Sequence, residues 1–197
     1  MRIDIHVHSS RYSPCSWQPP EEMIQAAVTA GLDGIVFTEH DLRWPQQELD
    51  RLQQVAPGLK LFSGAEMTTA EGEHVLVYGD MDYSRLRAFT AGVNLCLLVR
   101  EMGGVSVLAH PSRWGQLPAP ALLEAVDGLE VSSSNITYSM SRKAEQLARL
   151  NGKTMVAASD SHHKSTLGKF ALEFFADIKS EADLAATIRR GQFELLP

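Results

Sequence analysis

A chain of 197 residues can bury one hydrophobic core but is short for an eight-unit α/β barrel. Its net charge of −6 gives no broad cationic surface, so long nucleic acid is not a favoured partner, although a nuclease with a small basic pocket is still compatible. Two cysteines are too few for a disulfide framework. The sequence has neither a signal-peptide pattern nor a membrane-spanning apolar run, so we expect one cytoplasmic domain over residues 1–197 that does not contact membranes.

Short β-branched runs alternate with helical segments along the chain. The predicted strands are residues 3–7, 34–38, 59–63, 75–78, 105–109, 129–132 and 155–158. One predicted helix begins at the Pro19-Pro20 pair and ends at Gly31, and another is capped by Ser180 and ends at Gly191. Further helices are predicted from about Gln46, Ser84, Ala119 and Ser139. This alternation is typical of a parallel sheet in a barrel-like α/β domain.

Six of the seven histidines lie beside these predicted strands, which is unusual for solvated surface residues. The candidates are His6 and His8 at the end of the first strand, His40 after the second, Glu66 after the third, His110 after the fifth, and Asp160 with His162 after the seventh. In α/β barrels the loops after the strands converge on one face. Imidazole is the commonest metal-binding side chain, and the two carboxylates supply anionic oxygens. We therefore predict a metal site there, with His74 as an exception because it precedes its strand.

Two histidine-containing pairs carry the strongest signal. His6 and His8 are separated by two positions on one strand, so their side chains share a face and can bind one cation, with Asp4 placed to orient an imidazole. The alternative is a buried pair satisfied by backbone carbonyls. Asp160 and His162 repeat the same spacing at the other end of the chain.

The remaining ligand candidates each have a plainer alternative. Glu66 can bridge two cations, and Gly64 before it permits close backbone approach, but Glu66 could also face solvent. His110 precedes Pro111 and is either a ligand or a core histidine. His40 is either a ligand or part of a local charge cluster, and His74 could simply follow a polar hairpin turn.

Two arginines are candidates for binding a phosphate beside the metals, because a guanidinium binds phosphate in a fork. Arg11 follows the first histidine pair and Arg113 follows His110. Solvated surface arginines are the alternative for both. Asn135 and Tyr138 are weaker candidates for the rim of the same pocket.

The ordered motifs resemble those of the polymerase and histidinol phosphatase (PHP) family. They are Asp4-Ile-His6-Val-His8, Thr38-Glu39-His40-Asp41, Gly64-Ala-Glu66, Ala109-His110-Pro111 and Ser159-Asp160-Ser-His162. The resemblance spans almost the whole chain. It implies a distorted seven-stranded (β/α) barrel with two or three divalent cations, usually zinc, manganese or iron.

Carried over residue by residue, the resemblance implies one metal held by His6, His8, Glu66 and Asp160. A second would take Glu66, His74 and His110, and a third His40 and His162. Two departures from the family pattern stand out. The loop after His8 lacks the usual Asp or His, which leaves the third site weak, completed by solvent or bound by Cys15, and Glu39 replaces a common Asp.

The resemblance implies a metal-dependent phosphoesterase in which hydroxide attacks phosphorus in line. Glu66 would be the bridging ligand, and His40 or His162 the proton donor if the third metal is absent. The expected substrate is a phosphorylated small molecule, a nucleotide or an oligonucleotide end. An amidohydrolase that cleaves C–N bonds and a non-catalytic metal-binding PHP module are the alternatives.

Overall fold

The computed structural model describes residues 1–111, 113, 115 and 117–196. Its strands are β1 (Arg2–Val7), β2 (Gly34–Phe37), β3 (Lys60–Ser63), β4 (Ala65–Thr68), β5 (His74–Tyr78), β6 (Val105–Leu108), β7 (Gly128–Ser132), β8 (Thr154–Ala157), β9 (Ala171–Phe174) and β10 (Phe193–Leu196). Its α-helices are α1 (Pro20–Thr29), α2 (Gln46–Gln53), α3 (Gly92–Glu101), α4 (Pro120–Ala125), α5 (Tyr138–Leu150) and α6 (Glu181–Arg190). None of these described helices is long and apolar enough to cross a membrane.

The strands form two five-stranded sheets, in the orders β10-β9-β1-β2-β3 and β4-β5-β6-β7-β8. Isolated bridges pair Val7 with Ser161 and His40 with Glu66, so the end of each sheet reaches the other. Gly64 alone separates β3 from β4. The C-terminal ends of strands from both sheets therefore meet at one place.

All seven predicted strands form, as β1, β2, β3, β5, β6, β7 and β8, but the expected seven-stranded barrel of parallel strands is not observed. The described chain has three further strands, β4, β9 and β10, and four of its strand pairs are antiparallel. The reversal between β4 and β5 follows from their connection, since residues 69–73 are too few for a parallel crossover. The three added strands have four residues each.

The helix predicted from Ser84 is wrong. Residues Tyr83–Arg85 form one 3-10 turn capped by the Asp82 side chain, and α3 begins only at Gly92. Phe89 lies between them in a left-handed conformation with φ 59°, which a continuous right-handed helix cannot include.

Apolar side chains fill the space between the sheets and under the helices. Ile3 and Ile5 of β1 belong to a buried cluster with Val107 of β6 and with Leu184 and Ile188 of α6. A second cluster packs α3, α4 and α5 against the outer face of the second sheet, and a third packs α1 and α2 against β2. These clusters bury Ile3, Ile5 and Val7 of β1 and so hold in place the strand that leads to His8.

Gly64 lies where the backbone passes tightly between the sheets. A Cβ atom there would lie 2.6 Å from the Val77 carbonyl oxygen and 2.9 Å from Cδ1 of the buried Tyr78 ring. Neither neighbour can move cheaply, because one is backbone and the other is a packed side chain whose hydroxyl donates to the Ile5 carbonyl. The prediction that Gly64 allows close approach is confirmed.

We predict that Gly64→Ala lowers the free energy of unfolding by about 1–3 kcal/mol, because the added methyl overpacks this contact. Gly58→Ala is the matched control, since nothing lies within 4 Å of a Cβ at Gly58 and its φ is outside the left-handed region. Urea unfolding of both variants measures the difference. Equal stability of the two variants would contradict the packing argument.

Candidate metal centre

Residues from both sheets converge where their strands end. β1 carries His6 and continues to His8, while β8 leads into Asp160 and His162. His74 is the first residue of β5, and β5 runs antiparallel to β4 and β6. Its N-terminal end therefore lies at the same edge as the C-terminal end of β6, which explains how a histidine that precedes its strand reaches the site.

The first group of candidate ligands contains His6, His8 and Asp160, all buried. The Nε2 atoms of the two histidines are 3.0 Å apart. Oδ1 of Asp160 lies 3.4 Å from Nε2 of His6 and 3.5 Å from Nε2 of His8. These three atoms point at a common centre, as ligands of one cation do.

Glu66 connects this group to a second one. Its Oε2 atom lies 3.2 Å from Nε2 of His8 and 3.1 Å from Nδ1 of His40. Its Oε1 atom lies 2.9 Å from Nδ1 of His74 and 3.0 Å from Nε2 of His110. One carboxylate therefore faces imidazoles on two sides, which is the arrangement of a bridging ligand.

A third group consists of the imidazoles of His8, His40 and His162. The His8 ring lies 4.7 Å from the His40 ring and 4.3 Å from the His162 ring, centroid to centroid, in stacked orientations. All eight predicted metal ligands are thus brought together. Cys15 is exposed and belongs to no such group among the described residues.

The donor set fits divalent cations. Oε2 of Glu66 and Oδ1 of Asp160 are buried and accept no hydrogen bond from the described residues, although ring nitrogens surround both atoms. An orphaned buried carboxylate oxygen is costly unless a cation neutralises it. Imidazole and carboxylate together suit zinc, manganese and iron.

The electrostatics of the pocket keep its carboxylates ionised. Burial by itself raises the pKa of Glu66, but the neighbouring His6 and a hydrogen bond from His110 outweigh burial and hold that pKa well below its usual range. Burial also raises the pKa of Asp160, but the nearby His6 has the opposite effect, and the pKa of Asp160 is lowered overall. Burial, together with the nearby His8, lowers the pKa of His162 to about 4. His162 is therefore neutral at pH 7, the form in which imidazole binds metal.

Glu130 is a functional candidate that the sequence reasoning missed. This fully buried residue of β7 lies with Oε1 2.9 Å from Nδ1 of His6, and its Oε2 accepts a hydrogen bond of 2.9 Å from the backbone N–H of His110. One carboxylate thus orients two candidate ligands. A charged residue in the middle of the apolar run Gly128-Leu-Glu-Val was the available signal.

Asp4 does not have the role expected of it. Its carboxylate accepts hydrogen bonds from the backbone N–H groups of Ser159 and Gly168, each at 3.0 Å, and from no imidazole of the described residues. Asp4 therefore fixes the backbone near Asp160, while Glu130 orients His6. Desolvation raises the Asp4 pKa to about 6 despite these hydrogen bonds.

The loop after His8 is held by Glu39. The Glu39 carboxylate accepts hydrogen bonds from the hydroxyls of Ser9 and Ser13 and from Nε1 of Trp44. Oγ of Ser13 also lies 3.3 Å from Nδ1 of His8. Glu39 thus acts on His8 through Ser13 and lies outside the groups of candidate ligands.

The two candidate phosphate-binding arginines differ in position. Nη1 of Arg113 lies 3.5 Å from Oδ2 of Asp160, at the edge of the ligand cluster. Arg11 is paired instead with Glu48 of α2 at 3.1 Å, and its side chain is 55% exposed. Arg113 is therefore placed to meet an anion in the pocket, whereas Arg11 is directed toward α2.

Asn135 and Tyr138 lie on the loop and helix that follow β7. Nδ2 of Asn135 donates a 2.7 Å hydrogen bond to the Asp160 carbonyl, so Asn135 supports the backbone of a candidate ligand. Tyr138 begins α5 and is exposed.

Two candidate ligands have left-handed backbones although neither is glycine. φ is 29° at His110 and 49° at Asp160. Such conformations cost about 1–3 kcal/mol each and persist only where surrounding contacts enforce them. Here Glu130 holds the His110 N–H and Asn135 holds the Asp160 carbonyl, so the contacts that enforce the strain also aim the ligands.

Known proteins share this fold. Residues 141–193 match the model of the PHP-associated family. A two-domain protein from Bacteroides vulgatus that contains a predicted PHP-like metal-dependent phosphoesterase is 20% identical, with a TM-score of 0.76 over 99% of this chain and 64% of that one. PsfC from Pseudomonas syringae is 21% identical, with a TM-score of 0.72 over 96% and 93% of the two chains. An amidohydrolase from Chromobacterium violaceum, with bound sulfate and no metal, is 16% identical, with a TM-score of 0.63 over 85% and 90%. No curated protein matches the sequence.

We predict that Glu130→Gln weakens binding of divalent metal by about 10–100-fold, because an outer carboxylate orients its histidine and raises the basicity of that ligand. Glu194→Gln, at an exposed position of β10, is the matched control. Calorimetric titration of the metal-free proteins with zinc or manganese gives the affinities. Equal affinities for the two variants would rule out a role of Glu130 at His6.

We also predict that Cys15→Ser keeps the full metal content of the purified protein, because the Cys15 thiol lies outside every group of candidate ligands among the described residues. His162→Ala should lose metal from the group that it shares with His8 and His40. Elemental analysis measures both. Loss of one metal equivalent in Cys15→Ser would instead make Cys15 a ligand.

Proposed function

The chain has the fold of the PHP-like proteins, which confirms the resemblance of its motifs, and we propose that residues 1–197 form a single metal-dependent phosphoesterase domain. The observation that carries this proposal is the pair of buried, unpartnered carboxylate oxygens of Glu66 and Asp160 among six imidazoles. The similarity to a PHP-like phosphoesterase supports it at the level of the fold.

In this proposal His6, His8, Glu66 and Asp160 hold one divalent cation, and Glu66, His74 and His110 hold a second. His40 and His162, beside His8, hold a third if one binds. The ions would be zinc, manganese or iron, which suit mixed imidazole and carboxylate ligands. When bound, they lower the pKa of water and neutralise charge that develops on the phosphoryl oxygens.

The chain's own residues would organise the reaction. Glu66 holds its two sets of imidazoles around one centre, and Glu130 fixes His6 and His110. Arg113, beside Asp160, would bind an equatorial phosphoryl oxygen and orient the ester for in-line attack. Arg11 is a less favoured phosphate ligand because Glu48 already occupies its fork.

When no third metal binds, the proton donor to the leaving group is proposed to be His40. His40 is half-buried beside Glu66, with 30% of its side chain exposed, so it is open to substrate. His162 was the other candidate, but with a pKa of about 4 it carries no proton at neutral pH. We therefore assign His162 to metal binding.

The proposed substrate is a phosphorylated small molecule or a nucleotide. The net charge of −6 disfavours long nucleic acid. An amidohydrolase reaction is the second candidate, since one protein of that description shares the fold. The bridging position of Glu66 and the Asp160-Ser-His162 segment favour phosphoester chemistry. A non-catalytic PHP module is disfavoured because every ligand position that the resemblance implies is filled except the one in the loop after His8, and these eight residues converge.

The test of the proposed function is a paired assay on para-nitrophenyl phosphate and bis-para-nitrophenyl phosphate. We expect turnover of at least one ester after loading with zinc, manganese or iron, and its loss on chelation. Turnover of the monoester or of the diester assigns the reaction type. If neither ester is hydrolysed with any of the three metals, the phosphoesterase proposal is wrong.

Glu66→Gln should reduce kcat by at least about 100-fold, because a neutral amide cannot replace an anionic bridging ligand. The fold should persist, since glutamine has nearly the same volume. Glu194→Gln serves again as the control. Unchanged kcat in Glu66→Gln, with a normal unfolding curve, would refute the bridging role.

A further inference from the structure

An exposed tryptophan, Trp17, lies in the loop that follows the candidate ligand His8. The Trp17 side chain is 78% exposed. Its backbone N–H donates a 3.0 Å hydrogen bond to the carbonyl of His162, whose ring stacks on His8 within the ligand cluster. The Trp17 backbone therefore lies one hydrogen bond from a candidate ligand.

The loop that carries Trp17 is firmly anchored. Oγ of Ser16 donates to the carbonyls of both His8 and His162 at 3.2 Å. The Ser10 N–H donates to the Gln18 carbonyl at 2.8 Å, and Oε1 of Gln18 accepts from the Lys164 N–H at 2.9 Å. A large apolar ring is thus presented to solvent on a fixed backbone, which is how binding sites display an aromatic surface.

The imidazole of His163 lies beside the Trp17 indole, and the two rings together form a corner. The exposed His163 ring lies 6.5 Å from the indole, centroid to centroid, with an angle of 70° between the planes. Nδ1 of His163 lies 2.8 Å from Oγ of Ser165, which fixes the ring. Two nearly perpendicular rings at this spacing can receive one further flat ring, stacked on one face and met by the edge of the other.

We propose that Trp17 and His163 form a base-binding subsite, so that the substrate of the proposed phosphoesterase is a nucleoside monophosphate. Base–aromatic stacking tolerates any base because every base has a π face. A sugar phosphate offers no such face. This inference rests on the proposed function, and it identifies the leaving group of the ester as a nucleoside.

The charges around the pocket agree with a bound nucleotide. Arg113 and Trp17 both contact the segment from Asp160 to His162. The Arg113 side chain pairs with the Asp160 carboxylate, and the Trp17 backbone N–H donates to the His162 carbonyl. A nucleotide could therefore direct its phosphoryl group to Arg113 and the metal ligands and its base to the corner. Arg113 recognises the anion, and Trp17 with His163 recognises the leaving nucleoside.

The test compares adenosine 5′-monophosphate with ribose 5-phosphate, which have the same phosphorylated hydroxyl and differ by the base. In the metal-loaded wild-type protein we expect kcat/KM to favour the nucleotide by about tenfold, the size of one stacking contact. Trp17→Ala should bring this ratio close to one, mainly through KM, and Trp17→Phe should restore part of it. His163→Ala should lower the ratio less.

Phe175→Ala is the matched control. Phe175 is also an exposed aromatic residue, at 68%, but it follows β9, which is antiparallel to β1 and ends beside Met1 at the opposite edge of the sheet. We expect this variant to keep the wild-type ratio. A wild-type ratio near one, or an equal ratio in Trp17→Ala and wild type, would overturn the subsite.

A binding measurement separates this proposal from the proposed function. If no ester is hydrolysed, the phosphoesterase proposal fails, whereas calorimetric titration with each compound still tests the subsite. Tighter binding of adenosine 5′-monophosphate than of ribose 5-phosphate in wild type, lost in Trp17→Ala, supports it. Equal binding of the two compounds to wild type contradicts it.

Discussion

The arrangement of the candidate metal centre depends on the burial of the Glu66 carboxylate among histidine side chains. This carboxylate is buried, and burial alone would drive it toward the protonated form. Five histidines lie around it, two of them on β1 and its extension and the others from loops or strands of both sheets. Each imidazole that faces Glu66 brings a different part of the chain to the same point. The folded chain therefore concentrates carboxylate oxygens and imidazole nitrogens in one pocket, an arrangement that fits the binding of divalent cations.

The sheet topology makes this convergence possible. A strictly parallel arrangement would leave His74 at the far edge, because it precedes its strand. The five-residue connection between β4 and β5 reverses the chain and carries His74 back beside its cross-strand partner Thr68, two residues after Glu66. Gly64, which no side chain could replace without clashing, lets β4 continue directly from β3 and places Glu66 opposite His40. Tight backbone geometry thus has a direct consequence for the ligand set.

A layer of polar contacts behind the ligands sets their directions. Glu130 holds His6 and the backbone of His110, Glu39 acts on His8 through Ser13, and Asn135 holds the carbonyl of Asp160. These contacts also sustain the left-handed backbones at His110 and Asp160. The candidate ligands are therefore oriented in advance, which would reduce the cost of binding a cation. The same region extends outward to the exposed Trp17, whose loop is anchored to His8 and His162.

The sequence by itself determined the seven principal strands and the eight candidate ligands. Periodic apolar runs report strands, and pairs such as His6 with His8 report side chains on one face, because both signals are local in the chain. The sequence did not indicate β4, β9 and β10, the antiparallel direction of β5, or the partners of Arg11 and Asp4. The roles of Glu130 and Trp17 also emerged only from the structure. Those features depend on contacts between residues far apart in the chain, such as His6 with Glu130 and Trp17 with His162, and no local pattern encodes such a distance. The tertiary structure alone decided these features. Buried polar groups form hydrogen bonds with the groups that the packed sheets place beside them, and those neighbours are set by the fold.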